Sequence, residues 1–301
     1  MKKGRLMIYL AGAVICTVTA IGGGPAICTM TATGGVTDSL GKEAPKIPLV
    51  SEAARKKQPK AREEILVAAA ASLKNPYEER LIPMFEARHP GVKVKGIYDS
   101  SGKLQTQIEE GLEADVFMSA ARKQMEELDR GGKIASETIV NLLENKIVLI
   151  VPSGNEGRLA CFEDIRRAES IALGDPDSVP AGQYGKEALT SLGLWEGLQD
   201  RVSFGTNVTE VLNQVAAGSA DAGIVYATDA ASKEGQVEVA AEAPEGSLSG
   251  RVIYPVAVIR HSAHRDKAES FVDFLKTKEA LEVFEDYGFS LGEIPEEGGA
   301  G

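Results

Sequence analysis

Between about Ile65 and Phe289, short apolar runs alternate with segments whose apolar residues recur at helical spacing. Residues 65–71 read as an apolar strand. Residues 76–88 carry Leu81, Ile82, Met84 and Phe85 on one helical face, and His89-Pro90-Gly91 stops them. Residues 92–98 alternate as a strand, 104–110 continue as a helix, and 114–119 form another apolar strand. That βαβαβ order predicts a mostly parallel sheet flanked by helices. A second series follows, with strands expected at 147–151, 171–173, 202–204 and 222–226 and helices at 181–192 and 208–217. The body ends with an apolar strand at 252–259 and one long helix over 267–287. The fold class is therefore α/β, without repeats of solenoid length.

The ends follow other patterns. Lys2, Lys3 and Arg5 precede an apolar run from Leu6 to Thr17, and Val18-Thr19-Ala20 supplies small residues for cleavage. This three-part order is that of an export signal, and weakly apolar residues continuing to about Gly35 leave an uncleaved N-terminal anchor as the alternative. Residues 1–32 are assigned to that signal or anchor. Residues 33–63, rich in Gly, Pro, Lys and Glu, read as a flexible tether, and 290–301 as a disordered acidic tail. Cys16 and Cys28 raise N-terminal lipidation, but Ile15 and Ile27 stand where a lipoprotein signal places a small residue.

Composition narrows the function. At 301 residues the chain allows about two domains. A net charge of −11 with no stripe of Lys and Arg argues against nucleic acid as a partner. Only Cys161 lies in the folded body, which excludes a disulfide framework and a cysteine-rich zinc site; it reads as a buried small apolar residue. The histidines, His89, His261 and His264, have no acid–base partner at motif spacing.

The informative segments are the turns that follow strands, where helix N-termini present unpaired N–H donors to ligands. Four are built from small uncharged residues: Ala70-Ala71-Ser72-Leu73, the Ser100-Ser101-Gly102 turn after Asp99, Val179-Pro180-Ala181-Gly182, and Gly205-Thr206-Asn207-Val208. Each alone is an ordinary helix cap. Together they point to a shared anion site, because neutral donors and helix dipoles favour negative charge. Tyr226 ends an apolar strand, and its buried hydroxyl needs a partner. Gly96 to Lys103 is not a P-loop, since Leu104 stands where Ser or Thr must meet magnesium. Asp175 lacks companions at ligand spacing and reads as a turn former.

At these residues the sequence resembles the bacterial periplasmic molybdate-binding proteins, solute receptors of molybdate ABC importers. The matching strings are Val67-Ala68-Ala69-Ala70-Ala71-Ser72-Leu73, Ser100-Ser101-Gly102-Lys103-Leu104, Ala114-Asp115-Val116-Phe117-Met118-Ser119-Ala120, Gly174-Asp175-Pro176 with Val179-Pro180-Ala181-Gly182, Gly223-Ile224-Val225-Tyr226 and Tyr254-Pro255-Val256-Ala257-Val258. The resemblance implies a two-lobed periplasmic-binding-protein fold of type II with the ligand cleft between the lobes. Lobe one would hold residues 64–144 plus 251–289, and lobe two 145–250. It further implies a non-enzymatic monomer that captures molybdate or tungstate and hands it to a membrane permease, in the periplasm or tethered to the outer face of the membrane, without a cofactor. By that likeness the oxyanion is held by Ser72, Ser101, Ala181, Val208 and Tyr226, with Ala181 and Val208 acting through main-chain N–H; molybdenum is touched only through its oxygens. Asp99, where the family often has a small or neutral residue, is expected to cap the helix or face solvent. The alternatives are a sulfate or phosphate receptor of the same fold and an exported hydrolase using Ser72 or Ser101.

Overall fold

The computed structural model describes residues 63–155 and 159–292. Residues 1–62, where an export signal or anchor and a tether are expected, and the expected tail beyond residue 292 lie outside the described residues; Glu63, assigned to the tether, instead opens β1 and pairs with Val92. The chain opens with β1 (Glu63–Ala70) and runs through a 3-10 turn (Ala71–Leu73), α1 (Lys74–Pro76), a π-helical turn (Tyr77–Leu81) and α2 (Ile82–Arg88). There follow β2 (Val92–Asp99), α3 (Ser101–Glu109), β3 (Val116–Met118), α4 (Arg122–Arg130) and β4 (Val140–Asn145). After a single intervening residue the chain enters β5 (Ile147–Pro152), then β6 (Ile171–Gly174), α5 (Pro180–Ser191), β7 (Val202–Gly205), α6 (Val208–Ala216), β8 (Ala222–Tyr226), α7 (Ala227–Ala231) and β9 (Val237–Glu242). It closes with β10 (Val252–Val258), α8 (Arg265–Leu275), α9 (Lys278–Asp286) and β11 (Ser290–Leu291).

Two sheets result. One has the order β11-β4-β10-β3-β1-β2 and the other β7-β6-β8-β5-β9. The chain therefore passes from the first sheet to the second between Asn145 and Ile147, and returns between Glu242 and Val252. Both sheets are mixed, which corrects the expectation of mostly parallel ones. β1 pairs parallel with β2 and β3, and β6 with β7 and β8, whereas β10, β11, β5 and β9 enter antiparallel. The antiparallel strands flank the two passages, where the chain reverses direction without a crossover helix.

The most buried strands carry continuous apolar runs. β8 (Ala-Gly-Ile-Val-Tyr) and β10 (Val-Ile-Tyr-Pro-Val-Ala-Val) are buried at every position, as expected for strands covered on both faces. Pro255 sits inside β10 without an N–H to donate, and the register with β4 shifts between Tyr254 and Pro255.

Other differences from the sequence reading have local causes. The terminal helix is broken at Thr277, whose extended backbone ends α8 and whose Oγ1 accepts from the Ala280 N–H to start α9. Ser290 and Leu291, assigned to the tail, pair with β4. Cys161 is exposed, not buried: it lies in extended backbone just before the 3-10 segment Phe162–Arg167, and Phe162 fills the core instead. Among the described residues no helix is long and apolar enough to cross a membrane.

Where the chain passes between sheets, Asn145 at the end of β4 donates through Nδ2 to Thr228 Oγ1 in α7 at 2.9 Å. The next residue, Asp229, is buried, and its Oδ2 has no hydrogen-bond partner. Burial pushes its carboxyl up to about 7. An unfolded chain gives up that proton near pH 3.9, so the stability this group contributes is complete below about pH 4 and is lost as pH rises to about 7. Asp229→Asn keeps an oxygen acceptor and removes the titration. It is expected to raise the melting temperature at pH 8 by a few degrees and to leave it nearly unchanged at pH 4, as differential scanning calorimetry at both pH values will show.

Candidate functional site

The four turns singled out by sequence each end a strand and begin a helical segment. β1 runs into the 3-10 turn that holds Ser72, β2 ends one residue before α3, and α5 and α6 follow β6 and β7. Ser100 is the N-cap of α3, its Oγ accepting from the Lys103 N–H at 3.4 Å. Asn207 caps α6 by accepting from the Glu210 N–H at 3.0 Å, and Glu210 Oε2 in turn accepts from the Thr206 N–H at 2.7 Å. Pro180 opens α5, where its missing N–H costs nothing. The first-turn N–H groups of a helix have no intrahelical acceptor. Ala181 is the second residue of α5 and Val208 the first of α6, so both amides belong to that set.

Close packing of α5 on β6 requires a particular residue. A Cβ on Gly182 would lie 1.9 Å from the Gly174 carbonyl oxygen, so only glycine lets the helix start lie this close to the strand end.

Ser101 and Tyr226 meet through one residue. The Ala120 N–H donates to Ser101 Oγ at 3.0 Å, and the Tyr226 hydroxyl donates to the Ala120 carbonyl at 3.2 Å. Ser101 is thus an acceptor toward the protein, which leaves its own hydrogen for a further partner. Ser72 reaches the same cluster by another path: its Oγ is 3.1 Å from the Tyr254 hydroxyl, and the Tyr254 and Tyr226 rings pack edge to face at 5.4 Å. Ser101, Tyr226 and Tyr254 are all fully or almost fully buried. Burial holds the Tyr226 and Tyr254 hydroxyls far above the ordinary tyrosine range, so both remain neutral donors.

Hydrogen bonds cross between the two lobes around this cluster. The Gly102 N–H donates to the Ser178 carbonyl at 3.0 Å, Gln124 Nε2 to Gln183 Oε1 at 3.2 Å, and Asn207 Nδ2 to Asp99 Oδ1 at 3.4 Å. Asp99 therefore takes a different place from the one expected. It accepts from the Ser100 N–H and from Lys103 Nζ as well as from Asn207, so its charge is engaged at the rim of the junction, and the capping role belongs to Ser100. A cavity of about 310 Å³ opens beside Ser72, lined in part by Ala71, Lys74, Thr209, Thr228 and Asp229.

The five expected residues thus carry hydroxyls or helix-start amides and no formal charge, a chemistry suited to an anion that accepts hydrogen bonds. Ser72, Ser101 and Tyr226 are linked through Ala120 and Tyr254. Val208 adjoins the Asn207–Asp99 bond, and Ala181 lies on the turn of α5 that carries Gln183. Tyr254 and Asn145 were given no role by the sequence reading. The available signal was a tyrosine inside an otherwise apolar strand. Among the described residues no hydrogen bond joins a histidine to Ser72 or Ser101; His89 Nδ1 lies on the Phe85 carbonyl, and His264 Nδ1 lies on Asp115, which also accepts from Ser262 Oγ.

Residues 65–290 match the family described as bacterial extracellular solute-binding protein. YvgL of Bacillus subtilis (strain 168), carried under the name of an ABC transporter substrate-binding lipoprotein, is 39% identical over 226 residues, covering 75% of this chain and 86% of that protein. The molybdate-binding protein ModA of Escherichia coli (strain K12) is 36% identical over 234 residues, 76% of this chain and 89% of its own. Among solved structures, the periplasmic molybdate-binding protein of Azotobacter vinelandii superposes with a TM-score of 0.65 at 25% identity, covering 75% of this chain and 99% of that one. With three quarters of its length matched, the chain belongs to the bacterial extracellular solute-binding proteins, a family of receptors and not of enzymes.

Proposed function

We propose that the chain is the receptor of an ABC importer, that it captures molybdate or tungstate between its lobes, and that it presents the closed form to a membrane permease. The observation that carries this reading is the meeting of Ser101, at the start of α3, and Tyr226, at the end of β8 in the other lobe, on Ala120. The 36% identity to a molybdate-binding protein supports the choice of ligand. Lobe one is taken as residues 64–144 plus 251–289 and lobe two as 145–250, working as a monomer in the periplasm or tethered to the outer face of the cytoplasmic membrane.

In this reading Ser72, Ser101 and Tyr226 donate through hydroxyls and Ala181 and Val208 through main-chain N–H. Removing an anion from water costs several kcal/mol per charge. Hydrogen bonds to a charged group return about 1.5 to 3 kcal/mol each, so a shell of such donors offsets the cost without a lysine or arginine. Molybdate and tungstate carry no proton near neutral pH and suit a shell of donors; hydrogen phosphate would need an acceptor. The Tyr226 hydroxyl has one hydrogen, now on the Ala120 carbonyl. Ligand capture turns that hydrogen to the anion, and a bond between the lobes is replaced by a bridge through the ligand.

Titration calorimetry with molybdate, tungstate, sulfate and phosphate in one buffer tests the assignment. Tight 1:1 binding of the first two with weak sulfate and phosphate binding is expected, and binding of sulfate or phosphate alone would replace the ligand. Ser101→Ala is expected to weaken molybdate binding by about 1 to 3 kcal/mol while the protein still melts cooperatively; unchanged affinity would remove Ser101 from the site. Gly102→Ala tests closure, because a Cβ there would meet the Ser178 carbonyl oxygen at 2.4 Å and its Cα at 2.8 Å. That variant is expected to bind molybdate more weakly and to keep a larger radius of gyration with ligand than the wild type, measured by small-angle X-ray scattering.

A further inference from the structure

The neighbours of Ser72 orient the hydrogen bonds that lead toward it, up to the Ser72–Tyr254 contact, where either hydroxyl can donate. Asn145 Oδ1 accepts from the Lys146 N–H at 2.9 Å, which sets the orientation of the amide. Its Nδ2 therefore faces Thr228 Oγ1 at 2.9 Å and the Tyr254 hydroxyl at 3.3 Å, and an amide nitrogen only donates. Accepting from Asn145, Tyr254 has its one hydrogen left for Ser72 Oγ at 3.1 Å. With Tyr254 as the donor, Ser72 is an acceptor toward the protein and its own hydrogen is left for the cleft.

We infer that Tyr254 is a positioning residue that holds Ser72 as a hydrogen-bond donor toward the bound oxyanion, through a one-way relay from Asn145 to Tyr254 to Ser72; this rests on the oxyanion reading of the site. Tyr254 is fully buried, with its ring edge to face against Tyr226 at 5.4 Å and Phe289 at 5.3 Å, which holds its hydroxyl beside Ser72 and Asn145. The register shift between Tyr254 and Pro255 in β10 is the local irregularity from which this side chain projects. Bonds in such a chain polarise one another, and each strengthens the next donor. The relay also starts at the passage between the lobes, where the same Asn145 amide holds Thr228 of the second lobe. Selectivity follows from its direction. With Tyr254 on its acceptor side, Ser72 offers the cleft a hydrogen; without that hydroxyl, Ser72 is free to reverse and accept the proton of hydrogen phosphate.

The test is a double-mutant cycle read by titration calorimetry with molybdate and with phosphate, using wild type, Tyr254→Phe, Ser72→Ala and the double variant, with melting curves of each ligand-free protein. Tyr254→Phe is expected to bind molybdate roughly tenfold more weakly and to lower the ratio of molybdate to phosphate affinity. The double variant is expected to bind no more weakly than Ser72→Ala, because Tyr254 acts through Ser72. Wild-type affinity in Tyr254→Phe, or losses that simply add in the double variant, would overturn the relay. Should Tyr254→Phe fail to fold, Asn145→Asp tests the other end: it keeps the acceptor for Lys146, draws the Tyr254 hydrogen away from Ser72, and is expected to weaken binding in the wild-type but not in the Ser72→Ala background. A wild type that binds phosphate and not molybdate would overturn the direction of the relay, whereas one that binds only sulfate, an anion without a proton, would replace the ligand, and the same loss in Tyr254→Phe read with sulfate would support the relay. A wild type that binds none of the four anions would overturn the receptor reading and the relay together.

Discussion

Ala120 is held from two directions, by Ser101 of its own lobe through its N–H and by Tyr226 of the other lobe through its carbonyl. One peptide segment thus reads the position of both lobes, and the surrounding architecture serves to keep it there. β3 delivers Ala120 from the middle of the first sheet, between β1 and β10, and β8 delivers Tyr226 from the middle of the second, between β6 and β5. Central strands are the most constrained parts of a sheet, so these two groups stand on its least deformable elements.

The polar groups that meet on Ala120 are neutral hydroxyls and backbone dipoles, Asp99 and Lys103 lie toward the edge of the junction, and burial shifts the nearby Asp229 carboxyl toward its neutral form. Asp99 and Lys103 neutralise each other at 3.4 Å, beside Asn207. A net charge of −11 for the whole chain does not prevent an anion from entering such a place, since charges beyond a Debye length of about 8 Å are screened while local donors act in contact. Affinity and acidity thereby separate: the surface can be acidic while the interior of the junction stays receptive to negative charge.

Strands with continuous apolar runs and turns with cap residues were legible because their signals are local. β1, β2, β5 and β8 fall where the alternation places them, and Ser100 and Asn207 cap the helices they precede. The helix α4 escaped because Arg122-Lys123-Gln124-Met125-Glu126-Glu127-Leu128 buries only a narrow stripe, Gln124, Met125 and Leu128. The antiparallel strands β4 and β9 carry polar residues among half-buried positions and owe their form to their partners. Of the proposed site, turn chemistry and family likeness offered Ser72, Ser101, Ala181, Val208 and Tyr226. Asn145 and Tyr254 are 109 residues apart and meet only after the chain has crossed between the sheets twice, so no spacing rule could have joined them.

The double crossing also dictates an order of assembly. The second sheet is drawn from one uninterrupted stretch, β5 to β9, and needs nothing that comes later in the chain. The first sheet is different, because β10 lies between β4 and β3 and arrives only after the whole second lobe. Until Val252–Val258 is in place, β3 and β4 present open edges with no strand between them. The first sheet is thus the last to become whole, and Tyr254, the side chain that orients Ser72, comes in with the strand that completes it.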